Sequence, residues 1–252
     1  MENNTVFGLA GLVGGFFTGI YLLDSYPAEL QQQLLDELGT FDLGQIPVNI
    51  LLGVITAVQS AGYGLVLGVL GILLGKKTGL WKDEQSLTKK PLIICVIVSV
   101  IGGLALILPD ILFFGKYSQA IMDSYAVKPT VPYMLAAVLY GGVIEEVMLR
   151  LFMMSLVAFI LQKLFGKKAE KPTTAALVAS NVIAAVLFAA GHLPATATLM
   201  GLSPMIVFRC FLLNGGFGLL FGYLYRKYGL RYSMIAHGGC HVVSKLIWIL
   251  FI

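Results

Sequence analysis

The chain has 252 residues, of which 58% are hydrophobic and only 12% are charged, and its mean hydropathy is +0.88. This charged share is about half of the usual one and excludes a water-soluble globule. The net charge of +4 comes from lysines in short clusters between apolar runs, a placement that argues against nucleic acid as a partner.

Apolar runs long enough to cross a bilayer as helices follow one another along the chain. They predict seven spans, at 6–23, 48–74, 91–114, 131–164, 173–192, 204–225 and 232–252. Leucines at helical spacing predict a further amphipathic helix at 28–38 on the outer surface. The predicted fold class is therefore all-α: a polytopic membrane helix bundle of about seven to eight transmembrane helices, which forms a single membrane domain over 1–252.

The loops between the spans differ in their content of Lys and Arg, which membrane proteins concentrate on the cytoplasmic side. The loop at 24–47 has neither residue, whereas the loop at 75–90 carries five lysines. The alternation continues through all seven spans. It predicts an integral, multi-pass membrane protein with its N-terminus in the cytoplasm and its C-terminus outside.

The fourth span carries three ionisable residues within six positions: Glu145, Glu146 and Arg150. Each such group costs roughly 2.5–3.5 kcal/mol at the bilayer centre, so intramembrane charges generally indicate a functional site. Glu146 and Arg150 are four residues apart, share a helix face and can neutralise each other. Glu145 is rotated by about 100° from Glu146 and needs another environment, which makes it the candidate for reaction chemistry.

All three histidines of the chain lie inside spans or at their ends. His192 ends the fifth span, while His237 and His241 share one face of the seventh. The fourth span is longer than the bilayer is thick, and the resulting overhang brings Glu145 and His192 toward one depth. We expect these groups to meet around a hydrated cavity, where a carboxylate can accept a proton from water and imidazoles can polarise a carbonyl, stabilise an oxyanion or bind a metal.

Two other cations also lie inside spans, Arg209 and Lys245. We expect Arg209 to extend its charged end to the membrane surface. Lys245 lies deeper along its helix, so an acidic or carbonyl partner is expected for it.

Three motifs, in this order, resemble those of the CAAX protease and bacteriocin-processing (CPBP) family of intramembrane endopeptidases, also called the abortive-infection family. They read Glu145-Glu146-Val-Met-Leu-Arg150, Phe188-Ala-Ala-Gly-His192 and His237-Gly-Gly-Cys-His241. The resemblance covers about 130–245, which would be the catalytic core, with 1–115 as accessory spans. The last motif departs from the family, which usually has Asn or Asp where this chain has His241.

The resemblance implies a role for each residue of the motifs. Glu145 would be the water-activating base, and His192 its partner on that water. His237 would be an oxyanion donor or a metal ligand, and His241 would take the position of the family's Asn. The supporting residues would be Glu146, Arg150 and Phe188.

The resemblance leaves the cofactor open between two mechanisms. Glu145, His192 and His237 are suitable ligands for Zn²⁺, which would make the protein a metallo-endopeptidase. A glutamate-type endopeptidase without a metal would use the same three residues.

The substrate implied by the resemblance is a peptide or a prenylated C-terminal peptide in the lipid bilayer, because the prototype activity of the family removes a C-terminal tripeptide after a prenylated Cys. Cleavage is expected near the cytoplasmic half of the bilayer.

Two other classes of protein stay open. One is a non-enzymatic membrane scaffold or immunity protein that binds a peptide, which His241 in the Asn position favours. The other is a small proton-coupled transporter, although no inverted repeat supports it.

Overall fold

Helices account for every regular element in the described part of the chain, which comprises residues 2–25, 28–39, 46–82, 87–166 and 170–252 of a computed structural model. The prediction of an all-α bundle is confirmed. The helices, numbered in chain order, are α1 (Glu2–Ser25), α2 (Ala28–Gly39), α3 (Val48–Thr78), α4 (Lys89–Leu112), α5 (Gln119–Asp123), α6 (131–165), α7 (Thr174–Gly191), α8 (Leu193–Met200), α9 (Pro204–Tyr228) and α10 (Leu230–Phe251).

Six stretches within the described residues are long and apolar enough to cross a membrane. They are Asn3–Leu22, Val48–Thr78, Lys89–Lys116, Thr174–Met200, Pro204–Tyr228 and Leu230–Phe251. Helix α6, which carries the ionisable residues of the fourth predicted span, is not among them. Together with α6, these stretches coincide one for one with the seven apolar runs of the sequence.

Three basic connections meet at one end of the bundle. Lys82 Nζ donates a hydrogen bond to the backbone carbonyl of Lys227, and the side chain of Lys171 lies beside Gly79. The connections after α3, α6 and α9 therefore share one end, as the charge alternation requires, and its cytoplasmic orientation stays a prediction. Parts of the charged loops and the first residue lie outside the described residues: 1, 26–27, 40–45, 83–86 and 167–169.

Helices α1 and α3 pack with their backbones almost in contact. Thr56 Oγ1 on α3 donates a hydrogen bond of 2.6 Å to the carbonyl oxygen of Gly15 on α1. The two helices can approach this closely only because α1 has glycines on this face. A Cβ added at Gly11, Gly15 or Gly19 would overlap backbone atoms of α3. Since lipid is as apolar as a helix surface, close approach of this kind supplies much of the stability between membrane helices.

The pair formed by α6 and α10 lies at the centre of the bundle. The two helices cross where Gly142 faces Gly238, and a Cβ added at Gly142 would lie 2.8 Å from the Cα of Gly238. Helix α1 packs on α6, with Gly14 against the backbone of Tyr140, and α4 packs on α10, with Gly103 against Ser244. Helices from the N-terminal half of the chain thus flank the pair that carries the motif residues.

Candidate active site

Helix α6 widens into π-helical turns around its ionisable residues, over Ala137–Glu145 and Val147–Met154. Such turns are rare, are frequent at functional sites and change the direction in which the following side chains point. No feature of the sequence analysis indicated them. They place Glu145 and Glu146 in separate environments, one at a cavity and the other in the protein interior.

The carboxylate of Glu145 lies between two imidazoles. Its Oε1 is 3.9 Å from Nε2 of His192, and its Oε2 is 3.9 Å from Nε2 of His237. The side chain of Glu145 is 18% exposed, and that of His192 is 34% exposed. The structure therefore brings together the acidic residue of the fourth predicted span and the imidazoles of the fifth and seventh.

The other ring nitrogen of each imidazole is held by an oxygen atom. His192 Nδ1 lies 2.8 Å from the carbonyl oxygen of Phe188, and His237 Nδ1 lies 2.9 Å from Glu146 Oε1. A carbonyl or carboxylate oxygen only accepts hydrogen bonds, so Nδ1 carries the hydrogen in both rings. In the neutral rings, Nε2 is consequently an acceptor that faces Glu145. The oxyanion-donor role that the resemblance implies for His237 would require a doubly protonated ring.

The bond between His192 and Phe188 follows from a break in the helix. Pro194, in the first turn of α8, has no N–H, so it cannot make the bond to the carbonyl of Ala190 that would continue α7. The N–H of His192 bonds to the carbonyl of Ala189 at 3.1 Å, three residues back instead of four. The carbonyl of Phe188 is then available to the imidazole, which fixes the ring at the junction of α7 and α8.

Glu146 is fully buried and holds a polar cluster behind the site. Its Oε1 lies 3.4 Å from Nε of Arg150 and accepts the hydrogen bond from His237, while its Oε2 accepts one from Ser233 Oγ. The sequence analysis missed Ser233. A signal was present, since Ser233 precedes His237 by four residues and so shares its helix face.

Two aromatic rings enclose the cationic side of this cluster. The guanidinium of Arg150 lies 4.6 Å from the ring centre of Phe188 and 5.7 Å from that of Phe221. The ring of Phe221 also stacks on His237, with centroids 4.4 Å apart. Phe188, expected as a supporting residue, thus contacts the cluster directly, and Phe221 is a further member that the sequence analysis missed.

His241 lies one turn beyond His237, and the two ring centres are 4.9 Å apart. Its Nδ1 is 3.4 Å from Nζ of Lys245. The same Nζ lies 4.8 Å from the ring centre of Tyr133. The expectation of an acidic or carbonyl partner for Lys245 was wrong: its partners are an imidazole nitrogen and an aromatic face.

Arg209 has a charged partner within the protein. It forms an ion pair with Asp110 on α4, which is fully buried and also accepts a hydrogen bond of 2.8 Å from the hydroxyl of Tyr125. The sequence did not predict this partner: a buried carboxylate on a neighbouring helix compensates the charge of Arg209 inside the protein.

A cavity of about 370 Å³ opens in front of Glu145. The motif histidines line it together with Lys245, Tyr133 and Tyr140. Part of its wall comes from helices of the N-terminal half, through Thr18, Tyr21 and Leu106. The cavity therefore combines ionisable groups with apolar and aromatic groups.

The three potential Zn²⁺ ligands do not converge on one point. Two ligand atoms on a tetrahedral zinc lie about 3.4 Å apart, since each is ~2.0–2.2 Å from the ion, whereas each imidazole lies 3.9 Å from a different oxygen of Glu145. Within the described residues, no group of three or more His, Cys, Asp or Glu side chains is arranged to hold a metal ion. Glu145, His192 and His237 therefore do not form a metal site in this arrangement.

Residues 127–243 match the family model described as type II CAAX prenyl endopeptidase Rce1-like. No curated protein and no solved structure matches. The matched segment holds all three motifs, and with the six apolar helices it identifies an integral, multi-pass membrane protein. Residues 127–243 therefore carry a type II CAAX prenyl endopeptidase Rce1-like domain, which matches the CAAX protease and bacteriocin-processing family.

Proposed function

We propose that this protein is an intramembrane endopeptidase in which Glu145 activates a water molecule for attack on a peptide bond. One observation carries the proposal: Nε2 of both His192 and His237 lies 3.9 Å from the Glu145 carboxylate. This distance is too long for a direct hydrogen bond, and in the neutral rings both atoms are acceptors. A water molecule between Glu145 and either ring has the two O–H donors that a carboxylate oxygen and an imidazole nitrogen require.

The proposed reaction is a hydrolysis in two steps. The water oxygen bonds to the carbonyl carbon of the substrate while Glu145 takes one proton, and the carbonyl oxygen becomes an oxyanion. The C–N bond then breaks, and Glu145 returns the proton to the leaving amine, which gives a carboxylic acid and an amine. The Glu146–Arg150 pair takes no proton; it holds His237 in the tautomer that accepts from the water.

The proposed substrate is a peptide with a lipid-modified C-terminus. This proposal rests on the name of the matched family, the prenyl endopeptidases, and on a cavity whose wall is largely apolar and aromatic. We place cleavage in the cytoplasmic half of the bilayer, because the overhang of α6 at the basic end would leave Glu145 ~10 Å from that boundary.

A cleavage assay on the purified protein in proteoliposomes tests the proposal. The probe is a farnesylated peptide that ends in Cys-Val-Ile-Met, and mass spectrometry detects the released tripeptide. Glu145→Gln, which keeps the shape of the side chain but cannot accept the proton, should lower kcat about 10²–10⁴-fold, the usual contribution of a general base. The matched control is Glu29→Gln on the exposed part of α2, which should cleave at the wild-type rate.

Each outcome of this assay has a defined meaning. Cleavage by Glu145→Gln at a rate near that of the wild type would refute the assignment of the base. Saturable binding of the peptide by a wild type that never cleaves it would favour the scaffold alternative.

A further inference from the structure

We infer that Lys245 is a positioning residue that makes Nε2 of His241 a hydrogen-bond donor toward the cavity. The ammonium group of Lys245 donates to Nδ1 of His241, and the ring hydrogen must then be on Nε2. The consequence for catalysis, that His241 stabilises the oxyanion, rests on the proposed function. The tautomer itself does not.

The first observation is the environment of Lys245. Its side chain is 9% exposed and lines the cavity. A lysine ammonium has three donors and no acceptor, and Nζ lies 3.4 Å from His241 Nδ1. Among the described residues, no carboxylate lies within ion-pair distance of Lys245. The imidazole nitrogen is therefore the acceptor of this buried cation, while the ring of Tyr133 at 4.8 Å meets its charge with a π face.

The second observation is the contrast among the three histidines. Nδ1 of His192 and of His237 faces an acceptor oxygen, so Nδ1 is protonated in both rings. Nδ1 of His241 faces a donor, which reverses the assignment. His241 is consequently the one histidine of the chain that presents an N–H at Nε2 while it is neutral.

The third observation is the position of this N–H. His241 Nε2 lies 2.9 Å from the place that a Cβ on Gly141 would occupy, and Glu145 Oε2 lies 3.8 Å from the same place. The absence of a side chain at Gly141 thus opens a space that Glu145 and His241 share. A second proton on His241 would put two positive charges 3.4 Å apart, so Lys245 also favours the neutral ring. His241 is then a neutral donor at a position where the family usually has a side-chain amide.

The tautomer can be read directly by nitrogen NMR. With ¹⁵N-labelled histidine the protein gives signals from three rings only, which His→Asn variants assign. The wild type should show His241 protonated at Nε2, with His192 and His237 protonated at Nδ1. In Lys245→Met, the Nδ1 signal of His241 should lose the shift caused by its hydrogen bond, while the signals of His192 and His237 stay in place and report an intact fold. A wild-type His241 that is protonated at Nδ1 would overturn the inference.

A double-mutant cycle tests the catalytic consequence with the farnesylated peptide as substrate. Lys245→Met should lower kcat about 10-fold or more with little change in KM, since loss of an oxyanion donor costs up to ~10²–10³-fold. Lys245→Arg, which keeps a cationic donor, should recover most of this loss. In His241→Asn, whose amide needs no tautomer, adding Lys245→Met should change kcat less than about 2-fold. The matched control is Lys128→Met at the exposed end of the bundle, which should leave both constants unchanged.

The failures of the two proposals are distinguishable. If the wild type does not cleave the peptide but the NMR pattern is as expected, the proposed function fails and the tautomer assignment stands. If Lys245→Met costs the same in the wild-type and His241→Asn backgrounds, or raises KM in both, then Lys245 contacts the substrate directly and the inference is wrong.

Discussion

Replacing Glu146 by Gln would remove the negative charge that holds the cluster behind the active site. Glu146 is fully buried, and Arg150 is only 2% exposed. Arg150 Nε lies 3.4 Å from Glu146 Oε1. After the change, the guanidinium of Arg150 would stay buried without its carboxylate. Gln also presents an N–H₂ group that can be placed opposite His237 Nδ1, where the carboxylate now accepts.

The expected loss of stability can be bounded from these contacts. Breaking a buried ion pair by removing one partner costs about 3–5 kcal/mol. The faces of Phe188 and Phe221 offset part of this cost, because a desolvated cation over an aromatic ring gains up to ~2 kcal/mol. We therefore expect a loss near 3 kcal/mol, which is roughly a hundredfold in the unfolding equilibrium.

Reversible unfolding by SDS in bicelles measures this loss, and the cleavage assay on the same samples measures the effect on activity. The matched control is the double variant Glu146→Gln/Arg150→Met, in which neither charge is left buried. It should recover stability to within about 1 kcal/mol of the wild type and yet remain poorly active, because His237 has lost its acceptor. A single variant that loses less than ~1 kcal/mol would refute the buried-pair reasoning, and a fully active double variant would refute the role given to Glu146.

Three further predictions concern the helix crossing, the orientation and the metal. Gly142→Ala should force α6 and α10 apart and abolish cleavage, since its Cβ would lie 2.8 Å from Gly238 Cα. With an impermeant maleimide, Gln33→Cys on α2 should react from outside intact cells and Lys77→Cys only after lysis, because the native cysteines Cys95, Cys210 and Cys240 are buried. Exhaustive chelation should leave cleavage unchanged, because the reaction as proposed needs no metal.

Each of these predictions has its own control and contrary result. Gly62→Ala, whose Cβ would meet nothing within 4 Å, should behave as wild type; an active Gly142→Ala would show that the crossing tolerates separation. Labelling of Lys77→Cys in intact cells would reverse the orientation. Activity that chelation removes and Zn²⁺ alone restores would contradict the metal-free reaction.

The helices of this fold could be read from the sequence because apolar length determines them. The seven runs coincide with the long helices of the structure. The π-helical turns of α6 could not be predicted in this way, since they depend on how the helix packs against α1 and α10 and leave no periodic signal in an apolar segment.

The sequence predicted which ionisable residues form the candidate site, but it did not predict most of the residues that bond to them. Ionisable residues inside spans are costly, so Glu145 and the histidines were conspicuous, and the structure brings them together. The partners were harder to predict. Ser233 and Phe221 are unremarkable residue types in a membrane helix, and the partner of Lys245 was expected to be an acid or a carbonyl because charge compensation was considered without aromatic faces or imidazole nitrogens.

The cavity draws its motif residues and part of its wall from different portions of the polypeptide. Glu145, His192 and His237 belong to the segment 127–243, whereas Thr18, Tyr21 and Leu106 come from helices that precede it. If the protein cleaves peptides as proposed, exchanging α1 and α4 between relatives should alter which peptides are accepted while the motif residues stay the same. Selectivity in such enzymes can then diverge, or be engineered, without touching a residue of the motifs.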